Sequence, residues 1–219
     1  MTEQNVYIWD KFVRIFHWSL VGLFLISYLT GDEESSLHIY SGYAVVTLVL
    51  ARILWGFIGS RHARFRDFIY SPATIAQYGR DFIAGHPKHY LGHNPLGGLM
   101  VVALLLNLLV ITYSGLKLYA VEEGKGPLAQ QGSMALVSAA QADDDDDDDR
   151  EGYRAGKYGE AGEDEEGEEF WEDLHEASVN LMILLILLHV AGVIISTRLH
   201  GESLVKAMIS GYKRREPSE

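Results

Sequence analysis

The sequence contains no cysteine among its 219 residues. That excludes disulfides, thiolate-held iron–sulfur clusters and haem attached through thioethers, so any metal centre must rest on histidine, carboxylate or methionine. Proline is scarce, five in all, which leaves long stretches without a helix breaker. Positive charge is short as well: 18 Lys and Arg stand against 30 Asp and Glu. The deficit is local. Residues 121–170 hold 17 acidic and 4 basic residues, whereas the other 169 hold 13 and 14. No basic patch of the kind nucleic acid requires is present, and no nucleic-acid partner is expected.

What the chain has instead is length of apolar run. About 20 mostly apolar residues cross a bilayer as a helix, and four segments qualify: Phe12–Leu29, Ile39–Ile58, Leu96–Tyr119 and Phe170–Leu199. The first exceeds signal-peptide length and lacks a small-residue cleavage site, so it reads as a retained anchor. Lys and Arg concentrate in the 60–94 connection (Arg61, Arg64, Arg66, Arg80, Lys88), in the tail (Lys206, Lys213, Arg214, Arg215) and at Lys11 and Arg14. The positive-inside rule then places both termini in the cytoplasm. The expected fold is all-α: an integral membrane four-helix bundle. Residues 1–120 carry helices 1–3, and a cytoplasmic amphipathic connection at 60–94 is broken by Pro72 and ends near Gly85. Residues 121–169 form an acidic periplasmic insert, largely flexible because so much charge with so few large apolar residues cannot build a core. Residues 170–219 supply helix 4 and a cytoplasmic tail. The run Asp143–Asp149 lacks the alternation and glycine of a calcium loop.

Histidines interrupt this oily background. His175 and His189 lie fourteen residues apart on helix 4, so about 21 Å and a nearly whole number of turns separate them on one helix face. His17 lies near the inner end of helix 1 and His38 near the outer end of helix 2. Two pairs result, His17 with His189 inside and His38 with His175 outside. Ionisable groups at membrane depth are costly and point to function. Two imidazoles at each of two levels match bis-histidine ligation of two b haems, whose flat apolar rings fit between helices. Arg52, fourteen residues after His38, falls at the inner level and is a candidate partner for haem propionates. Arg14 and Lys11 are further candidates. Gly22, Gly42 and Gly192 sit where a haem face needs close backbone approach, although glycine in membrane helices equally serves helix packing. Snorkelling to the interface is the plain alternative for Arg52. His62 and His200 read as exposed interface residues. The set His86, His89 and His93 reads as a basic interfacial loop rather than a metal site, because Pro87 and Pro95 disfavour a regular helix there.

Taken together, YIWDKFVRIFHWSL, LHIYSGYAVVTLVLARILWGFIGSRHARF, YLGHNPLGG, the FWEDLHEASVN…LLHVAG helix and the ending HGESLVKAMISGYKR resemble the prokaryotic cytochrome b561-like proteins. That family includes the b-type cytochrome subunits of nickel–iron hydrogenases. The resemblance implies a four-helix bundle, two b haems on His17, His38, His175 and His189, and electron exchange with ubiquinone or menaquinone. The acidic insert departs from the pattern and bears on partner identity.

The expected function is a di-haem conduit between quinone and a periplasmic redox protein with a basic docking face, a c-type cytochrome or a hydrogenase-like complex. Quinone is expected on the cytoplasmic side, near Trp9, Lys11 and the 60–94 connection. A self-contained superoxide:quinone oxidoreductase ranks lower, because dense outer negative charge repels that anion. A non-redox scaffold ranks lower still.

Overall fold

The computed structural model describes residues 4–31, 35–129 and 157–215. It contains a short strand β1 (Gln4–Tyr7), helices α1 (Lys11–Leu29) and α2 (Ser36–Ile58), two 3-10 turns (Arg61–Ala63 and Phe65–Asp67), and α3 (Pro72–Ile83). There follow α4 (Pro95–Glu122), α5 (Lys157–His200), α6 (Leu204–Ser210) and strand β2 (Tyr212–Arg215). Among the described residues, four helices are long and apolar enough to cross a membrane: Lys11–Leu29, Ser36–Ile58, Pro95–Glu122 and the Gly167–His200 part of α5. Each contains one of the four apolar runs. Their outward side chains, among them Leu25, Leu29, Leu50, Leu54, Phe57, Leu184, Leu187 and Leu188, are exposed in the isolated chain. A helix satisfies its own backbone polar groups, so acyl chains can cover such a surface at no hydrogen-bonding cost.

The chain divides into two compact units, Met1–Leu109 with Asn180–Glu219, and Val110–Val179. In the first, Asp10 caps α1 by accepting from Val13 N at 2.8 Å, and Ser35 caps α2 by accepting from His38 N at 3.3 Å. The other Asp10 carboxylate oxygen accepts from Trp55 Nε1 at 3.0 Å and from Ser60 Oγ, tying the start of α1 to the end of α2. Burial alone would raise this carboxyl's pKa, but the hydrogen bonds from Ser60, Val13 and Trp55 outweigh it and hold Asp10 below the ordinary aspartate value.

Below the helices, Ile8, Trp9, Val13, Ala63 and Ala207 form a small core, with Val6, Trp55, Leu91 and Met208 packed on it. It gathers the N-terminus, the 60–94 connection and α6. Strands β1 and β2 pair antiparallel, Gln4 opposite Arg215 and Tyr7 opposite Tyr212, so the segments 4–7 and 212–215 lie side by side. Gly211 makes the junction. It ends α6 at φ +92°, and a Cβ there would fall 2.6 Å from Arg14 Nη1 and Tyr7 and 2.8 Å from Trp9 O. Its carbonyl accepts from Ile8 N and Trp9 N at 2.8 and 3.1 Å.

In the connection, Pro72 opens α3 at its first turn rather than breaking it, with Ser71 as cap. Gly85 follows at φ +81°, near the expected end. α5 starts at Lys157, well before the apolar run, so the end of the acidic stretch is helical. The Asp143–Asp149 run lies outside the described residues.

Candidate functional site

The first unit brings His17 of α1 and His189 of α5 together: their ring centroids are 6.4 Å apart and their planes are inclined at 50°. An imidazole nitrogen lies about 1.1 Å from its ring centre and binds a metal at about 2.0–2.1 Å, so two imidazoles on opposite sides of one metal place their centroids about 6.3 Å apart. The observed separation fits that requirement. It exceeds what a direct imidazole–imidazole hydrogen bond would give. Trp18 packs edge-on against His17 at 4.9 Å. His17 Nδ1 is buried with no protein partner.

His38, in the same unit, is held differently. Its Nδ1 lies 2.9 Å from Ser27 O, a carbonyl that can only accept, so Nδ1 carries the proton and Nε2 keeps its lone pair. Ser27 Oγ and Ser41 Oγ are 2.6 Å apart, and Ser41 Oγ donates to His38 O at 2.9 Å, bracing this turn. In the second unit His175 repeats the arrangement. Its Nδ1 donates to Ile111 O at 3.1 Å and lies 3.1 Å from the wholly buried Ser114 Oγ. In the neutral form both imidazoles are therefore held in the tautomer whose Nε2 carries the lone pair, by the kind of supporting contact that orients ligands in metalloproteins. Gly115 makes room: a Cβ there would sit 3.0 Å from His175 Cε1 and 3.2 Å from Nδ1. Ser27, Ser114 and Gly115 escaped sequence reasoning, since one serine or glycine in an apolar helix looks like packing.

Arg52 is only 3% exposed. Its guanidinium lies over the rings of Phe65 and Phe68, 5.6 and 5.9 Å from their centroids, and Nη1 has no hydrogen-bond partner. It does not snorkel to water. Arg14 Nη1 donates to Ser210 O, so this side chain serves the α6 junction, while its buried Nε is unpartnered. Around Gly22, Gly42 and Gly192 no protein atom lies within 4 Å of a built Cβ, so the fold itself does not demand glycine there.

The remaining histidines separate. His86 is exposed. His89 Nε2 is 3.3 Å from Glu202 Oε1, which Lys213 Nζ also approaches at 2.7 Å. His93 packs against Trp9 and Phe68 at 4.6 and 4.7 Å. Contrary to the reading from sequence, His62 and His200 are not exposed. His200 lies edge-on to the His89 ring at 5.2 Å. His62 sits beside Gly92, and its pKa is lowered first by burial and then by Arg61. Among the described residues no cluster of three or more His, Asp or Glu is arranged to hold a metal ion.

The model of the family described as prokaryotic cytochrome b561 matches residues 8–211, nearly the whole chain, a range that includes His17, His38, His175 and His189. The chain belongs to the prokaryotic cytochrome b561 family. It is a multi-pass membrane protein of the b-type cytochromes, a class that implies haem b.

Among relatives, a Rhizobium leguminosarum bv. viciae protein named probable Ni/Fe-hydrogenase B-type cytochrome subunit is 29% identical over 154 residues, covering 57% of this chain and 63% of that protein. Proteins of the same name from Rhodobacter capsulatus and Cupriavidus necator are 22% and 21% identical over 96% of this chain, covering 82% and 87% of their own lengths. The chain spans about six-tenths of the length of the first relatives it matches. No solved structure matches. Within this cytochrome b561, the His17–His189 separation and the tautomers of His38 and His175 fit haem iron.

Proposed function

We propose that this cytochrome b561 binds two b haems, one between His17 and His189 and one between His38 and His175. It exchanges electrons between ubiquinone or menaquinone and a redox protein at the opposite face. Bound haem b supplies a reversible one-electron couple. The chain's own residues hold, orient and insulate. Ser27 and Ile111 carbonyls fix the His38 and His175 rings, Arg52 offers a buried cation to a propionate, and Gly42, one turn beyond His38, leaves room for a ring face. Arg14 contributes positive charge near the start of α1, on the His17 side.

The 6.4 Å approach of His17 and His189 carries this reading. The concentration of Lys and Arg in the 60–94 connection and tail supports a cytoplasmic position for the joined termini and for quinone exchange. On the other side, the acidic 121–169 stretch favours a basic redox partner. The names of the relatives support a nickel–iron hydrogenase; a c-type cytochrome with a basic docking face is the other candidate.

The test is to add a reduced quinone analogue to the purified, oxidised protein and follow the haem α-band. Reduction within the mixing time of a hand-held cuvette is expected, and blocked by a tight quinone-site inhibitor. Haems that stay oxidised with every quinol tried, while dithionite reduces them, would remove quinone from the account.

A further inference from the structure

We propose that His93 belongs to the inner haem site, where with Arg52 it receives the carboxylate of a haem propionate. The inference rests on the haem reading of His17 and His189. Its ground is a charge without a counter-charge. Arg52 is buried and, among the described residues, makes no hydrogen bond and no ion pair. A buried cation left in this state is strongly destabilising unless an anion compensates it. Asp10 is the acid whose field reaches it, but both Asp10 oxygens already accept from Val13, Trp55 and Ser60.

His93 lies against the same phenylalanine. Phe68, 1% exposed, has the Arg52 guanidinium 5.9 Å from its ring centroid and the His93 ring 4.7 Å from it. His93 Nδ1 is buried with no partner, although part of the residue's surface stays accessible. Trp9 on the other contact fixes the ring's place, and Tyr70 donates to the His93 carbonyl at 3.0 Å, fixing the backbone. After burial, the groups that push the His93 pKa down, to about 3, are all nitrogen bases: Arg52, Lys213, His62 and His189. Lys213 has its own acid in Glu202; Arg52 has none. His189 is in that set, so the His93 ring lies within electrostatic reach of His189. An anion entering here would satisfy an orphaned imidazole nitrogen and an orphaned guanidinium at once, and a propionate is the anion that a haem on His189 brings. A quinone carbonyl could accept one hydrogen bond but would leave the Arg52 charge unmatched.

The experiment uses the holoprotein loaded with haem whose propionate carboxyls carry a 13C label, and reads redox-difference infrared spectra without quinone. His93→Leu is expected to shift the labelled carboxylate band and to lower the midpoint potential of the inner haem, with the outer haem unchanged. Arg52→Leu should shift the same band further. His93→Gln, similar in size and still a donor, should return the band most of the way. It also serves if the leucine variant does not accumulate, because loss of the imidazole still leaves a small residual shift. An unmoved band in both His93 variants overturns the proposal, as does a change that appears only when quinone is added. A wild-type protein with no Soret band would instead sink the haem reading itself.

Discussion

Replacing Gly115 by alanine adds one carbon in a place where the structure leaves little room. The new Cβ would stand 3.0 Å from His175 Cε1 and 3.2 Å from Nδ1, whereas ordinary contacts begin near 3.4 Å. The imidazole must retreat by about 0.4 Å. Its Nδ1 is 3.1 Å from Ile111 O, so that retreat takes the hydrogen bond to about 3.5 Å, where it is essentially lost. A bond of this type contributes about 1 kcal/mol, equivalent to about a fivefold loss of outer-haem affinity. Support for a metal-ligating histidine, once removed, commonly costs about 10–100-fold, which sets the upper end. The assay is haem release to a scavenging apoprotein, with the two haems distinguished by their midpoint potentials. Faster release of the outer haem alone is expected, and Gly115→Val should exaggerate it. Unchanged release, or selective loss of the inner haem, would refute the role given to Gly115 and the assignment of His175 to the outer site.

Other perturbations have clear directions. Gly211→Ala forces a side chain into positive φ against Arg14, Tyr7 and Trp9, so the thermal midpoint in detergent should fall by several degrees; an unaltered midpoint would show the junction to be soft. Asp10 has a folded pKa below its unfolded one, so it stabilises above the unfolded pKa, and that contribution disappears as pH falls through the folded value. Asp10→Asn should therefore lower stability at neutral pH and flatten the acid limb below about pH 4; parallel wild-type and variant curves across that limb would contradict the sign. If the acidic stretch docks a basic partner, turnover with that partner should drop between low and high salt, since exposed charges are screened within about 8 Å at physiological ionic strength.

The spans were legible because a bilayer imposes a length and a composition that few other settings require. The four ligand candidates were legible for a related reason: a histidine inside an apolar run has few inexpensive explanations. What supports those histidines was not. Ser27 and Ile111 act through backbone carbonyls, which every residue possesses, and Ser114 and Gly115 differ from ordinary helix packing only in what lies opposite them. His93 sits in a polar stretch, where nothing in the sequence reveals that its ring shares Phe68 with a buried arginine. The β1–β2 pairing was equally hidden, because four-residue polar strands at opposite ends of a chain carry no alternation to read. Pro72 was read as a break because proline interrupts helices, yet at a first turn, after a capping serine, it starts one.

The most direct test of the His17–His189 pair is haem per polypeptide, by alkaline pyridine spectrum, for the wild type and for His189→Ala. Two haems b falling to one, with the retained haem keeping the outer potential, is the predicted result. No haem in the wild type, or two in the variant, would contradict it.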